Sequence, residues 1–146
     1  MQIESLHHVS IPVSDLERSR RFYGETLGLA EMTRPPFSFP GAWFELGPHQ
    51  ALHLIVHPHS TFRTGKGLDS RDVHYAIRVG SYHGALAYLR AKGFREDAEE
   101  TDLAKMRTNP HATAGFPQIY VMDPDRNVIE INAERLDEPD ATAGGN

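Results

Sequence analysis

Leu6-His7-His8-Val9-Ser10-Ile11-Pro12-Val13 runs directly into Ser14-Asp15-Leu16-Glu17, and 66 positions after His8 the pattern restarts as Val73-His74-Tyr75-Ala76-Ile77-Arg78-Val79. Each stretch alternates with period two, the signature of a strand. In the first, Val9, Ile11 and Val13 share one side while His8, Ser10 and Pro12 share the other. A helix follows in both copies. Ser14 and Glu17 stand at capping-box spacing, with Leu16, Ser19, Tyr23 and Leu27 on one helical face and Phe22 beside them. In the second copy Ser81 is the expected N-cap, and Tyr82, Ala85, Leu86 and Leu89 fall at i, i+3, i+4 and i+7. Gly28 stops the first helix and Gly93 the second.

Each helix is followed by short strand signals separated by turn residues. In the first copy they fall at 29–33, 42–46 and 51–56, with Pro35, Pro36, Pro40 and Gly41 in one loop and Gly47-Pro48 in the next. In the second they fall at 94–96, 117–122 and 128–132, with a long polar loop over 97–115 and a turn at Asp123-Pro124-Asp125-Arg126-Asn127. The expected fold is α+β: two βαβββ modules, about 3–57 and about 71–133, within a single domain over 1–133. The remaining 134–146 stretch is acidic and small, and reads as a disordered tail.

Composition narrows the function classes. The chain has 146 residues and a formal charge of −5, which argues against a phosphate-backbone binder. It has no bilayer-length apolar run and no charged-then-apolar leader, so a cytoplasmic protein without membrane contact is expected. With no cysteine, a metal would have to sit on histidine and carboxylate, and nine histidines are present.

The repeat puts polar exceptions at matching places. His8 and His74 sit early on the first strand of each copy, and His53 and Glu130 sit mid-way along the last, flanked by aliphatic residues. Such side chains cost free energy in a strand unless something satisfies them. If the copies pair about a pseudo-two-fold axis, the four converge. Three or four N/O donors without sulfur suit one divalent Zn, Ni, Co, Mn or Fe(II) ion.

These residues resemble the vicinal oxygen chelate superfamily, which includes glyoxalase I, extradiol dioxygenases and the fosfomycin- and bleomycin-resistance proteins. The resemblance lies in His8-Val9, Val13 through Ser19, Phe22-Tyr23 with Leu27-Gly28, His74-Tyr75-Ala76, and Asp123 through Glu130, with Arg126 where glycine is more usual. It implies metal ligands at His8, His74 and Glu130, and a homodimer. It also places His53 where glyoxalase I has a fourth, glutamate ligand, leaving Glu130 as ligand and proton shuttle.

The implied function is metal-dependent lyase or isomerase chemistry on a small substrate chelated through adjacent oxygens. The same three ligands also serve extradiol-type Fe(II) dioxygenases, and the scaffold serves metal-free drug-sequestering proteins. Tyr120, Gln118 and Ser10 are the candidate substrate contacts, and Arg78, Arg95 and Arg107 could meet a substrate carboxylate. Phe37, Phe39 and Trp43 could form one lip of a pocket. By alternation His7 faces away from His8, and His49, His57 and His59 fall in loops.

Overall fold

The computed structural model describes residues 1–59 and 62–138. The chain divides into two compact units, Met1–Thr64 and Gly65–Asn146. The first unit contains β1 (His8–Val13), α1 (Leu16–Arg20, continued by a π-helical turn Arg21–Thr26), β2 (Glu31–Met32), β3 (Gly41–Glu45) and β4 (Ala51–Val56). The second contains β5 (His74–Val79), α2 (Tyr82–Ala91), β6 (Arg107–Asn109), β7 (Gln118–Met122) and β8 (Val128–Ala133). Among the described residues each unit has one four-stranded sheet, in the orders β1-β4-β3-β2 and β5-β8-β7-β6. In both, the first strand runs parallel to the last and the other neighbours are antiparallel. The repeated order is the α+β duplication that the period implies.

Burial follows the alternation. Ile11, Val13, Tyr23, Phe44, Leu52 and Leu54 form the core of the first unit, and Leu89, Met106, Ile119, Val121, Ile129 and Ile131 that of the second. Burying an aliphatic side chain of this size is worth roughly 1.5–3 kcal/mol. The opposite face of each sheet carries the polar exceptions.

Several local details differ from the sequence reading. Helix α1 is capped by Asp15, whose Oδ1 accepts from the Arg18 amide at 3.0 Å. The Ser14 hydroxyl instead accepts from the Arg18 guanidinium. Aspartate caps as well as serine, and the helix starts one residue later. The last turn opens to π spacing, with the Leu27 amide donating to the Phe22 carbonyl, and Gly28 then stops it at φ 75°. The strand expected at 94–96 is a single bridge, Arg95 to Lys105, and the fourth strand of the sheet is β6, inside the stretch read as loop. Its three residues carry no period of their own; pairing with β7 holds them.

The acidic stretch is not featureless where it is described. Asp137 accepts from the Ser81 hydroxyl at 2.5 Å and from the Tyr82 and His83 amides at 2.8 and 3.2 Å. It thus adds a carboxylate cap to α2, whose Ser81 N-cap accepts from the Gly84 amide. The Ser81 hydrogen bond, against some desolvation, and the helix amides pull the Asp137 carboxyl down to about 2. Residues 139–146 of that stretch lie outside the described residues.

Candidate active site

Register places the polar exceptions as equivalent pairs. His8 is opposite Ala51, so His53 is its diagonal neighbour two residues on; His74 is opposite Val128, so Glu130 is its diagonal neighbour. An aromatic residue stands directly across from the second member in each case: Trp43 opposite His53, and Tyr120 opposite Glu130. Diagonal neighbours on one face lie within reach of long side chains.

In the second unit the pair is closely held. Glu130 is 5% exposed. Its Oε1 accepts from Asn132 Nδ2 at 2.7 Å and Gln118 Nε2 at 3.2 Å; its Oε2 accepts from the Tyr120 hydroxyl at 2.9 Å. Burial alone would raise this carboxyl's pKa. Those three donors and nearby His74 outweigh it, and the group is held below the ordinary carboxylate range. The Tyr120 phenol is driven the other way, to about 12, by burial first and by the bond to the Glu130 carboxylate second. It remains a donor at all ordinary pH values.

The His74 ring lies edge-on to Tyr120. Its Nδ1 is 2.7 Å from the Asp72 carbonyl oxygen, which can only accept, so Nδ1 carries the proton. Its Nε2 faces Glu130 Oε2 at 3.3 Å. A ring-nitrogen lone pair and a carboxylate oxygen at that separation need a proton or a cation between them. A backbone acceptor that fixes the imidazole tautomer is the usual support of a metal-ligating histidine. The donor set of this half therefore fits a divalent cation.

In the first unit the pair is part of a row of rings. His53 stacks on His8 at 4.3 Å between centroids and on Trp43 at 4.1 Å, with interplanar angles of 16° and 8°. Burial, reinforced by His8, His7 and Arg34, pushes the His53 imidazole below its ordinary value and favours the neutral form that can ligate a metal. His7 Nδ1 lies 2.8 Å from His8 Nδ1. His7 also lines the cavity beside His53, contrary to the alternation, because it precedes the strand and is not bound by its pleat. Ser10 is exposed on the same face, directly opposite His53.

Among the described residues no three His, Asp or Glu side chains are gathered in one metal-holding group; within the first unit His8 stacks on His53, and within the second His74 faces Glu130. Gln118 and Tyr120 both give their side-chain donors to Glu130. Arg95 lies near Asp97 and Asp102, Arg107 bonds Glu100, and Arg78 lies over Phe116. The His59 amide donates to His57 within their own loop. Two partners went unread in the sequence. Asn132 could have been found, since it lies two residues beyond Glu130 on the same face; the Asp72 carbonyl left no trace in residue type.

A cavity of about 710 Å³ opens on the first unit's sheet, over Met32, Trp43, Glu45, Ala51 and His53, under the β3–β4 turn. Here His49, at φ 63°, adopts a backbone conformation rare for a residue with a side chain.

Residues 5–131 match the model of the Glyoxalase/Bleomycin resistance protein/Dioxygenase superfamily. The chain belongs to this superfamily. Among the superfamily's solved structures, this member is similar to TnmS3, an antibiotic binding protein from a Streptomyces species. Identity is 26%, covering 91% of this chain and 98% of that one, with a TM-score of 0.64. A glyoxalase/dioxygenase from Nostoc punctiforme shares the fold at 23% identity, over 88% and 90% of the two chains, with a TM-score of 0.67. Glyoxylase I 4 of Arabidopsis thaliana is 26% identical over 136 residues, 90% of this chain and 71% of that protein. Superfamily members of this kind bind small molecules, and among the described residues no helix is long and apolar enough to cross a membrane.

Proposed function

We propose that this superfamily member is a metal-dependent enzyme of the glyoxalase-like type, acting on a small substrate with two adjacent oxygens. In this reading His8, His74 and Glu130 hold one divalent cation, with His53 as a fourth donor. The observation that carries it is the His74–Glu130 pair, with Nδ1 committed to the Asp72 carbonyl and Nε2 facing Oε2. A cation bound there would supply Lewis acidity to the substrate oxygens.

The chain's own groups would then do the rest. Glu130 is the one carboxylate among the four donors, so it is the group able to accept and return a substrate proton. Tyr120, Gln118 and Asn132 fix both of its oxygens and so aim the carboxylate, while Ser10 offers a hydroxyl beside His53. Two chains pairing as a homodimer, by resemblance, is the expected working form, and the cytoplasm its expected compartment.

A second reading, a non-catalytic protein that sequesters a small molecule, is favoured by the cavity around Trp43 and by the likeness to an antibiotic binding protein. Elemental analysis of protein purified without an affinity tag separates the two. The enzyme reading expects about one Zn, Ni, Co, Mn or Fe per site, lost in His74→Ala; unchanged metal content in that variant overturns it. Activity restored anaerobically by Fe(II) alone would move the assignment to oxygen chemistry.

A further inference from the structure

The face of the second unit's sheet that carries His74 and Glu130 continues into a further row of side chains. On β5, His74, Ala76 and Arg78 alternate onto one side, and Arg78 stands directly opposite Asn132 of β8, itself opposite Gln118 of β7. Glu130, opposite Ala76, thus has His74 as its diagonal neighbour on one side and Arg78 on the other. Diagonal neighbours lie roughly 7–8 Å apart, and the strand carries Arg78 about 13 Å beyond His74. One small molecule can therefore meet the His74–Glu130 pair at one end and Arg78 at the other.

The three arginines that could meet a substrate carboxylate are used differently. Arg107 is bound to Glu100 at 2.7 Å, and Arg95 has Asp97 and Asp102 at 3.8 and 4.0 Å. Arg78 is exposed, and among the described residues no carboxylate pairs with it. Its guanidinium carbon lies 5.1 Å from the ring centroid of half-buried Phe116. Resting on a ring takes up one flat side of a guanidinium and leaves open its N–H edge, which grips a carboxylate with two bonds. The contact also narrows the side chain's freedom before a ligand arrives. Asn132 and Gln118, its neighbours in the row, already give their amides to Glu130, which leaves Arg78 as the charged donor there.

We propose that Arg78 is a specificity-determining residue: beyond its two adjacent oxygens the substrate carries a distal carboxylate, which Arg78 binds while resting on Phe116. The adjacent oxygens belong to the enzyme reading, on which the inference rests for its catalytic meaning. The anionic arm depends only on this row of the second unit.

The probes are 2-hydroxyadipate, its distal monoamide, and 2-hydroxyhexanoate. All three offer the same hydroxyl and carboxylate oxygens at one end, and only the first has a carboxylate at the other. Titration of the protein as purified, followed by ligand-observed NMR, should show 2-hydroxyadipate binding about fivefold more tightly than the other two, as one charge-assisted pair at an exposed site provides. The preference should shrink in high salt, disappear in Arg78→Gln, and survive in part in Arg78→Lys, which keeps the charge without the fork. Arg78→Gln should leave the affinity for the monoamide and for 2-hydroxyhexanoate unchanged. Equal binding of acid and monoamide by the wild type, no detectable binding of any probe, or a loss in Arg78→Gln shared by all three overturns the proposal. Failure of the enzyme reading shows elsewhere, as metal content unchanged in His74→Ala, so the two failures are told apart.

Discussion

Removing the Glu130 carboxylate tests whether the second unit's site is built as its hydrogen bonds imply. In Glu130→Ala the Tyr120 hydroxyl and the Asn132 amide lose their acceptor, and both residues are only 6% exposed. The Gln118 amide is partly exposed and can turn to water. An orphaned buried donor costs about 1–3 kcal/mol, so two cost roughly 2–6 kcal/mol, with on the order of 1 kcal/mol more for the space left behind. For a chain of this length that lowers Tm by roughly 10–20 °C. Glu130→Gln behaves differently. One oxygen still serves Asn132 and Gln118, the new amide faces His74 Nε2, and the Tyr120 hydroxyl can rotate to accept, so the expected cost is about 1 kcal/mol or less. Urea denaturation in excess EDTA, which removes any metal linkage, measures both. The pH dependence has a definite sign. Because the folded carboxyl lies below its ordinary value, its contribution is present above the unfolded pKa and is lost as pH falls through the folded one. Below about pH 4.5 the wild type should therefore lose stability relative to Glu130→Gln. Equal cost for the two substitutions, or less than about 1 kcal/mol for alanine, would refute the reasoning.

Arg126 holds a left-handed backbone, φ 68°, while its guanidinium bonds the Lys66 and Thr101 carbonyls at 2.8 and 2.7 Å. Alanine and glycine both delete those bonds but only alanine keeps the backbone cost, so Arg126→Ala should be less stable than Arg126→Gly by about 1 kcal/mol in thermal unfolding; the reverse order would contradict it. Asp137, with its carboxyl drawn down to about 2, caps α2 fully above its ordinary value of 3.8 and releases it as pH falls toward 2. Amide exchange at Tyr82 and His83 should therefore accelerate over that interval relative to Asp137→Asn, whose cap is already weakened at neutral pH. No difference between the two proteins at pH 6 would remove the cap from the account.

The duplication was legible because strand and helix periods act locally. Val9, Ile11 and Val13 sort to one side of β1 by the pleat alone, and Gly28 and Gly93 stop their helices through a φ that other residues resist. The candidate donors were legible for the same reason, since His8, His53, His74 and Glu130 break aliphatic runs at matching register. Strand β6 was not, because Arg107–Asn109 becomes a strand only through β7 beside it. The Ser81 cap of α2 was legible, but the carboxylate added to it was not: an aspartate 56 residues away in sequence gave no local sign that it would meet Ser81.

Sequence by itself determined the two βαβββ copies and the family they resemble, and it nominated four side chains as candidate cation donors. Tertiary structure decided how those side chains are used. It turned Gln118 and Tyr120 into donors for Glu130, set the tautomer of His74 through a backbone carbonyl, and stacked His8, His53 and Trp43 into one row. The division is physical: periodicity and turn chemistry are properties of neighbouring residues, whereas a hydrogen-bond partner across a sheet is fixed only by strand register.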